Sequence, residues 1–248
     1  MKSGFLIGVL ILGDIAVYGQ YGKLFDITET IQDSLSMRLP SSFRSRDSSI
    51  YEDEKYLVKR SCRGEYGGTI WFKKKATGIT YSCKSTCPVC VNNLNGKYYV
   101  INTLAHSKGN SQILEIDAPD SMDVFKMPKP RKVKGKVFFP YVGAGESKSS
   151  KGAIILVDSI GVLTMASFPY QGELYYIITD FERTFIAKII RDHFVTLDTL
   201  ANVSIWTYDP IVTRTVDDHY VVFFENDVTK GYVEVFGNKI SLYRYRKN

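Results

Sequence analysis

Apolar residues come in short alternating or continuous runs of four to seven, separated by polar turns, and one phrase recurs. It opens on glycine or aspartate and a polar residue, then continues through aromatic and β-branched side chains. It appears as Gly68-Thr-Ile-Trp-Phe, Gly96-Lys-Tyr-Tyr-Val-Ile, Gly135-Lys-Val-Phe-Phe, Gly172-Glu-Leu-Tyr-Tyr-Ile-Ile and Asp218-His-Tyr-Val-Val-Phe-Phe. The copies start 28 to 46 residues apart. A period of that size marks one supersecondary unit copied in tandem. No segment keeps a 3.6-residue apolar period over a helix length, so the pattern predicts strands throughout.

Within each unit the phrase is followed by a polar loop, a second apolar run, a turn and a third run. The second unit gives Tyr98 to Thr103, Gln112 to Ile116 and Met122 to Phe125. The third gives Val137 to Val142, Ala153 to Val157 and Val162 to Met165. The fourth gives Leu174 to Thr179, Phe185 to Ile190 and Phe194 to Leu197. The fifth gives Tyr220 to Phe224, Tyr232 to Phe236 and Ile240 to Tyr245. The first is shorter, with Thr69 to Lys73 and Ile79 to Ser82, and a further strand is expected at Tyr56 to Arg60. Asp117-Ala-Pro-Asp, Asp158-Ser-Ile-Gly, Arg191-Asp192-His193 and Gly237-Asn238-Lys239 read as turns between second and third strands, because these residues tolerate tight backbone geometry. The paired aromatics Tyr98-Tyr99, Phe138-Phe139, Tyr175-Tyr176 and Phe223-Phe224 are assigned to a core buried on both faces of the strand.

Units of about 40 residues with three or four antiparallel strands resemble propeller blades, which hide their faces against their neighbours around an axis. The chain is similar in pattern to secreted five-bladed β-propellers, with blades near 51–86, 87–128, 129–165, 166–205 and 206–248. It lacks the Trp-Asp and Gly-His dipeptides of WD repeats and the paired glycines of kelch repeats, so no named repeat family is matched. The alternative is a β-sandwich or barrel of about a dozen antiparallel strands.

The region before the repeats differs. Lys2, the apolar run Phe5 to Leu12 and Val17-Tyr18-Gly19 predict a signal peptide over residues 1–19, with Asp14 its one awkward charge. Residues 20–50, rich in Ser, Arg and Asp, read as a loosely structured leader with a weak helical turn at Ile27 to Leu35. The product would be exported, either secreted or periplasmic, with no transmembrane segment after signal removal. Apolar residues at 44% and charged residues at 23% fit a folded domain rather than a disordered chain. The net charge is +6, with basic residues bunched at Lys73-Lys74-Lys75 and between Lys126 and Lys136. An acidic glycan or anionic surface is one reading of that excess, and a solvated surface the plainer one. No basic stripe with interleaved aromatics appears, which speaks against nucleic acid as a partner.

Cys62, Cys83, Cys87 and Cys90 are the only four cysteines. Cys83-x3-Cys87-x2-Cys90 has the spacing of the cluster motif in radical enzymes that cleave S-adenosylmethionine. Cys87-Pro-Val-Cys90 has that of thioredoxin-like redox sites. A four-thiolate zinc site is a further option, but the gap from Cys62 to Cys83 suits it poorly. None of these motifs sits in its usual helical context, so two disulfides are expected, with Cys83 opposite Cys90 and Cys62 bonded to Cys87. No metal or cofactor is implied. His106, His193 and His219 are scattered, and no Gly-x-Ser-x-Gly elbow is present. Gly143-Ala-Gly-Glu-Ser147 leads into a strand rather than a helix, so it reads as a loop and not a phosphate cradle.

In a propeller the loops after each first strand share the channel mouth. Those loops hold His106, Glu146, Asp180, Arg183 and Glu225, the candidate binding residues. Five-bladed glycosidases place carboxylates at such a mouth, one to donate a proton and another to act as base or nucleophile. No motif here matches theirs, so no catalytic residue is assigned. The expected function is an exported binding or interaction module for an unknown ligand, with a glycan or a protein as the candidates. Alternatives are a polysaccharide-active enzyme using carboxylates at the channel mouth, and a redox protein, which would need free thiols.

Overall fold

The computed structural model describes residues 23–32, 38, 49–126, 129, 131–138, 145–215, 217 and 219–245. The expected signal peptide lies outside them. Among the described residues the regular structure is all β, apart from 3-10 turns at Gly64–Tyr66 and Pro119–Ser121. In chain order, β1 (Asp26–Gln32) precedes β2 (Tyr51–Glu52), β3 (Tyr56–Arg60), β4 (Thr69–Lys74) and β5 (Thr80–Lys84). Then come β6 (Pro88–Leu94), β7 (Lys97–Leu104), β8 (Asn110–Ile116), β9 (Asp123–Val124), β10 (Arg131–Val133) and β11 (Lys136–Phe138). They are followed by β12 (Ile154–Ile160), β13 (Leu163–Tyr170), β14 (Glu173–Thr179), β15 (Thr184–Ile190) and β16 (His193–Ala201). The chain closes with β17 (Ile211–Arg214), β18 (Tyr220–Glu225), β19 (Lys230–Phe236) and β20 (Lys239–Tyr245).

These strands make four sheets and a ribbon. The first sheet runs β2-β3-β4-β5-β9, the second β12-β8-β7-β6, the third β13-β14-β15-β16 and the fourth β1-β20-β19-β18-β17, while β10 and β11 pair only with each other. None is closed into a barrel. Five copies of the repeated phrase therefore give four sheets among the described residues. Four copies supply inner strands of sheets (β4, β7, β14 and β18), and the copy at Gly135 supplies β11 of the free-standing ribbon. The remaining strands expected of the third unit are shared out. β12 adds antiparallel to β8 of the second sheet, and β13 opens the third. Asp158-Ser-Ile-Gly, expected as a turn, is mostly strand, because Asp158, Ser159 and Ile160 pair with Gln112, Ser111 and Asn110.

The glycine of the phrase has a physical reason. Asn95-Gly96, Lys134-Gly135 and Gln171-Gly172 each take positive φ at both positions, between 48° and 82°. That is the two-residue hairpin turn whose twist matches the strands it joins, and glycine enters it without a Cβ clash. Gly68 is there for another reason. A Cβ on it would lie 2.5 Å from the Ser61 carbonyl and 2.7 Å from that of Ser85, where two loops close on it.

Alternation along the strands builds two main cores. The second sheet turns Val91, Tyr98, Val100, Leu114 and Ile116 toward Tyr56, Val58, Ile70 and Phe72 of the first. Its other face, with Cys90, Ile101 and Ile113, joins the third sheet, which in turn packs on Val222, Phe224, Val233 and Leu242 of the fourth. Of the paired aromatics, Tyr98, Tyr175, Tyr176 and Phe224 are buried in these cores and Phe223 in a smaller cluster with Val221, Tyr232 and Tyr245, whereas Tyr99 is only half-buried and the Phe138 and Phe139 side chains lie outside what is described. The expected helical turn near Ile27 is instead β1, which runs parallel to β20 from Asp26↔Lys239 to Gln32↔Tyr245. It covers what would be the open edge of β20, and an unpaired edge invites pairing with other chains.

Candidate functional site

Antiparallel pairing sends the β7–β8, β14–β15 and β18–β19 loops out of the same end of their sheets, and contacts join that end together. Gly109 abuts the Phe181 ring. Asn226 donates to the Ser204 carbonyl at 3.3 Å, and the Ser204 hydroxyl meets that of Thr179 at 3.0 Å. His106 pairs with Glu65 in the β3–β4 loop. Glu146 reaches the same loop, accepting from Ser61, from Thr69 at 2.5 Å and from Arg63 at 3.4 Å. The expected residues thus share one end of the molecule, but their partners are separate. Asp180 accepts from the Glu182 and Arg183 amides at 3.0 and 2.7 Å, closing its own turn. The Arg183 guanidinium lies 5.2 Å from the Phe185 ring centroid. Glu225 is exposed at the end of β18. The loop after β16 adds an edge-to-face ladder at this end, with Phe181 and Trp206 at 6.0 Å and Trp206 and Tyr208 at 5.2 Å.

Between the sheets the chain is packed rather than hollow. Asn92 of β6 donates to the Ser167 carbonyl at 2.9 Å and to its hydroxyl at 2.7 Å, and Tyr220 of β18 donates to the Asn92 carbonyl oxygen at 2.9 Å. All three residues are buried, so one hydrogen-bonded knot ties the second, third and fourth sheets. Arg60 of β3 donates to the Pro88 carbonyl at 2.6 Å and pairs with Asp209 at 2.8 Å, bringing the first sheet against the start of β6 and the loop before β17.

The cleft lies at the opposite end from the expected loops. It encloses about 350 Å³ between the β2–β3 turn, the β6–β7 turn and the segment after β8. Its lining includes Tyr51, Asp53, Lys55, Asn93, Tyr98 and Asp117. Asp53 is the organising residue. One of its oxygens accepts the Lys55 and Tyr56 amides at 2.8 and 2.7 Å, closing the tight turn between β2 and β3. The other accepts the hydroxyls of Tyr98 at 2.7 Å and Tyr51 at 3.3 Å. Tyr98 stands perpendicular to Tyr51 and Tyr56, with ring centroids 6.1 and 5.7 Å away, the edge-to-face arrangement aromatic quadrupoles favour. Tyr56 donates to Asp120 at 2.6 Å, and Lys97 pairs with Glu115 at 2.7 Å and Asp117 at 3.1 Å.

The protonation states follow from these contacts. Burial pushes the Asp53 carboxyl up, but the Tyr98 hydroxyl, the two amides and the Tyr51 hydroxyl outweigh it, and it rests below its ordinary value. Burial and the Asp53 charge raise the Tyr51 phenol to about 12, against a pull downward from Arg214, and burial and the Asp53 bond raise Tyr98 as well. Lys74 and Tyr56 hold Asp120 low. Asp123 and Glu173 are lowered too, by Ser149 and by Lys188. Each shifted carboxyl among the described residues is therefore shifted down, toward the charged form. A general acid needs the reverse.

Two of the four cysteines depart from expectation. Cys62 and Cys87 are bonded, pinning the β3–β4 loop to the start of β6, as the sequence reading paired them. Cys83 and Cys90 are free and buried. They were expected opposite each other in a hairpin, but β5 pairs with β4 and β6 with β7, which puts them in different sheets. Cys83 lies in the first core and Cys90 in the second. Burial raises their thiols to about 12 and about 11, so neither is a ready nucleophile or ligand. With Cys87 in a disulfide, the triple spacing is not a set of three thiolates, and among the described residues no cluster of His, Cys, Asp and Glu could hold a metal ion.

The residues of the cleft were not singled out from sequence. Tyr98 was assigned to the core and Asp117 to a turn, and both assignments hold locally. The remaining signal was Asp53-Glu-Lys between two apolar runs, which marks an aspartate-closed turn but not what gathers on it. No family model, curated protein or solved structure matches this chain.

Proposed function

We propose that the protein is an exported binding module whose four sheets stand radially as blades, and that it holds a sugar-sized, polyhydroxylated ligand in the Tyr51–Asp53–Tyr98 cleft. The radial arrangement is supported by the Asn92–Ser167–Tyr220 knot joining three sheets and by Arg60 touching elements of both flanking ones. Export is supported by the Cys62–Cys87 disulfide, since such bonds persist in oxidising compartments. No helix among the described residues is long and apolar enough to cross a membrane.

The observation that carries the ligand reading is a concave site of about 350 Å³ with donors and acceptors converging on fixed phenol walls. Pockets of this size with a few placed polar groups are the usual seat of small ligands. Asp53 has its oxygens filled and serves to orient Tyr51 and Tyr98, while Asp117 is already paired with Lys97. The Asn93 side chain already bonds the Tyr98 hydroxyl and the Tyr51 hydroxyl donates to Asp53, so the Tyr51 oxygen as acceptor, the rest of the Asn93 amide and the Lys55 ammonium are what meet ligand hydroxyls. The polysaccharide-active alternative has less behind it, because Asp53 and Asp120 beside the cleft are both held toward the charged form, the reverse of what a general acid needs.

Calorimetry against a panel of mono- and disaccharides tests the reading. Asn93→Ala and Tyr51→Phe should each weaken the best ligand about tenfold, the worth of one buried hydrogen bond to a bound partner. Trp206→Ala should leave it unchanged. Loss of binding in Trp206→Ala with the cleft variants unaffected would move the site to the other end. A second reading, a glycan chain stacking there, is favoured by the Phe181–Trp206–Tyr208 ladder, in which Tyr208 is 69% exposed.

A further inference from the structure

The net charge of the chain is concentrated in one small element. From Lys126 to Lys136 the sequence holds six basic residues and no acidic one, and the whole chain carries +6, so outside this stretch 26 basic residues face 26 acidic ones. Its part from Arg131 onward forms β10 and opens β11, a ribbon that pairs with no other sheet among the described residues. Every residue from Lys132 to Val137 is exposed, as are Lys126 and Lys129. Lys134 and Gly135 form the tip, at φ 48° and 75°. None of Lys126, Lys129, Lys132, Lys134 and Lys136 makes an ion pair with a described residue.

The register mixes charge with apolar surface. Lys132 lies opposite Val137 and Val133 opposite Lys136, so each face of the ribbon carries one valine beside one lysine. Val133 and Val137 are 50% and 47% exposed. A lone two-stranded ribbon is marginal in water, and a surface that covers one face would steady it.

We propose that this ribbon docks the protein on an anionic bilayer surface. Clustered lysines are drawn to a negative leaflet, and whichever face lies down, a valine enters the headgroup boundary while lysine stems reach back to the phosphates. Nucleic acid fits less well. Five of the six basic residues are lysine rather than the arginine whose fork reads phosphate in two bonds, and no aromatic ring lies between Lys126 and Val137 to stack on bases. The ribbon is independent of the cleft.

Sedimentation of the full chain with phosphatidylglycerol–phosphatidylcholine vesicles, against pure phosphatidylcholine, reads the effect. Binding should require the anionic lipid and weaken as salt is added. At about fivefold per lysine, the Lys132→Gln, Lys134→Gln, Lys136→Gln triple variant should bind roughly a hundredfold more weakly. Its circular dichroism should be unaltered, since those side chains touch no core. Val133→Ser with Val137→Ser should weaken binding at high salt as well as low. Equal binding to both vesicle types, no vesicle binding, an unaffected triple variant, or retention by heparin or duplex DNA without vesicle binding would overturn the proposal.

Discussion

Asn92→Ala is the sharpest probe of whether the second, third and fourth sheets meet on a dry hydrogen-bonded knot. The amide makes three hydrogen bonds, two to Ser167 and one from Tyr220, and its residue is 1% exposed. Truncation deletes them together and takes this partner from the Tyr220 hydroxyl and the Ser167 carbonyl, while the Ser167 hydroxyl keeps the Cys90 sulfur at 3.7 Å. A buried polar group left unpaired costs about 1–3 kcal/mol, though neighbouring losses do not add fully. A total of about 3–5 kcal/mol is expected, which for a domain of this size lowers Tm by about 10 °C. Tyr220→Phe keeps the ring and removes one bond, so about 1–2 kcal/mol is expected from it alone. In the Asn92→Ala background the same change should cost nothing and recover part of the loss, because it removes a hydroxyl whose Asn92 acceptor is already gone. Urea titration followed by circular dichroism measures all three, with a constant m-value showing that stability alone has moved. If Asn92→Ala shifts the midpoint by less than about 0.5 kcal/mol, water is replacing the amide. The knot would then be hydrated and would not be a dry junction of the three sheets.

Four further outcomes follow from the disulfide, the buried thiols and Asp53. Reducing Cys62–Cys87, or replacing both residues with serine, should cost about 3 kcal/mol from the 25-residue separation, read as a fall in Tm on adding reductant. Thiol labelling of the unreduced protein should find no reactive group when native and two after denaturation, and four labelled thiols would refute the bond. Cys83 and Cys90 titrate above their unfolded value, so the stability they add is whole below about pH 9 and is lost as pH rises toward 11–12. The double alanine variant should show a flatter Tm profile above pH 9. Asp53 is shifted the other way, so its contribution is present above the ordinary carboxylate range near pH 4 and disappears as pH falls through its lowered value. Asp53→Asn should lessen the acid-side slope, to which Asp120, Asp123 and Glu173 also contribute, and an unaltered slope would mean its bonds to Tyr98 and the turn amides are not formed.

What the sequence disclosed was strand by strand. The runs at Tyr98, Leu174 and Tyr220 appear as β7, β14 and β18, because alternation and aromatic content are local properties. Sheet membership is not local. Nothing in Gly135-Lys-Val-Phe-Phe distinguishes a ribbon from an inner blade strand, since it carries the same turn chemistry as Gly96 and Gly172. What differs is the neighbours. β7 is flanked by apolar β6 and β8, whereas β10 and β11 are flanked by lysines that no core could accept. Charge density beside the phrase, rather than the phrase, separates four sheets from five. β1 was hidden by the reverse problem, as Asp26–Gln32 alternates weakly and becomes a strand only because β20 offers it an edge.

The same distinction explains why the cleft was illegible while the loops were not. His106, Glu146, Asp180, Arg183 and Glu225 are polar residues in evident loops, so they attract notice, yet Asp180 spends its carboxylate on its own turn and Glu146 on Ser61 and Thr69. Polar residues in loops are most often turn chemistry, and the turn satisfies them. Asp53 also closes a turn, but with one oxygen. Its second oxygen reaches Tyr98, 45 residues along the chain and in another sheet. That bond exists only once the first and second sheets have packed, so it is a product of the fold and leaves no trace in spacing. A residue that satisfies its own turn and also holds one phenol from its own sheet and one from a second fixes the walls of the cleft, and it does so only after the two sheets have met.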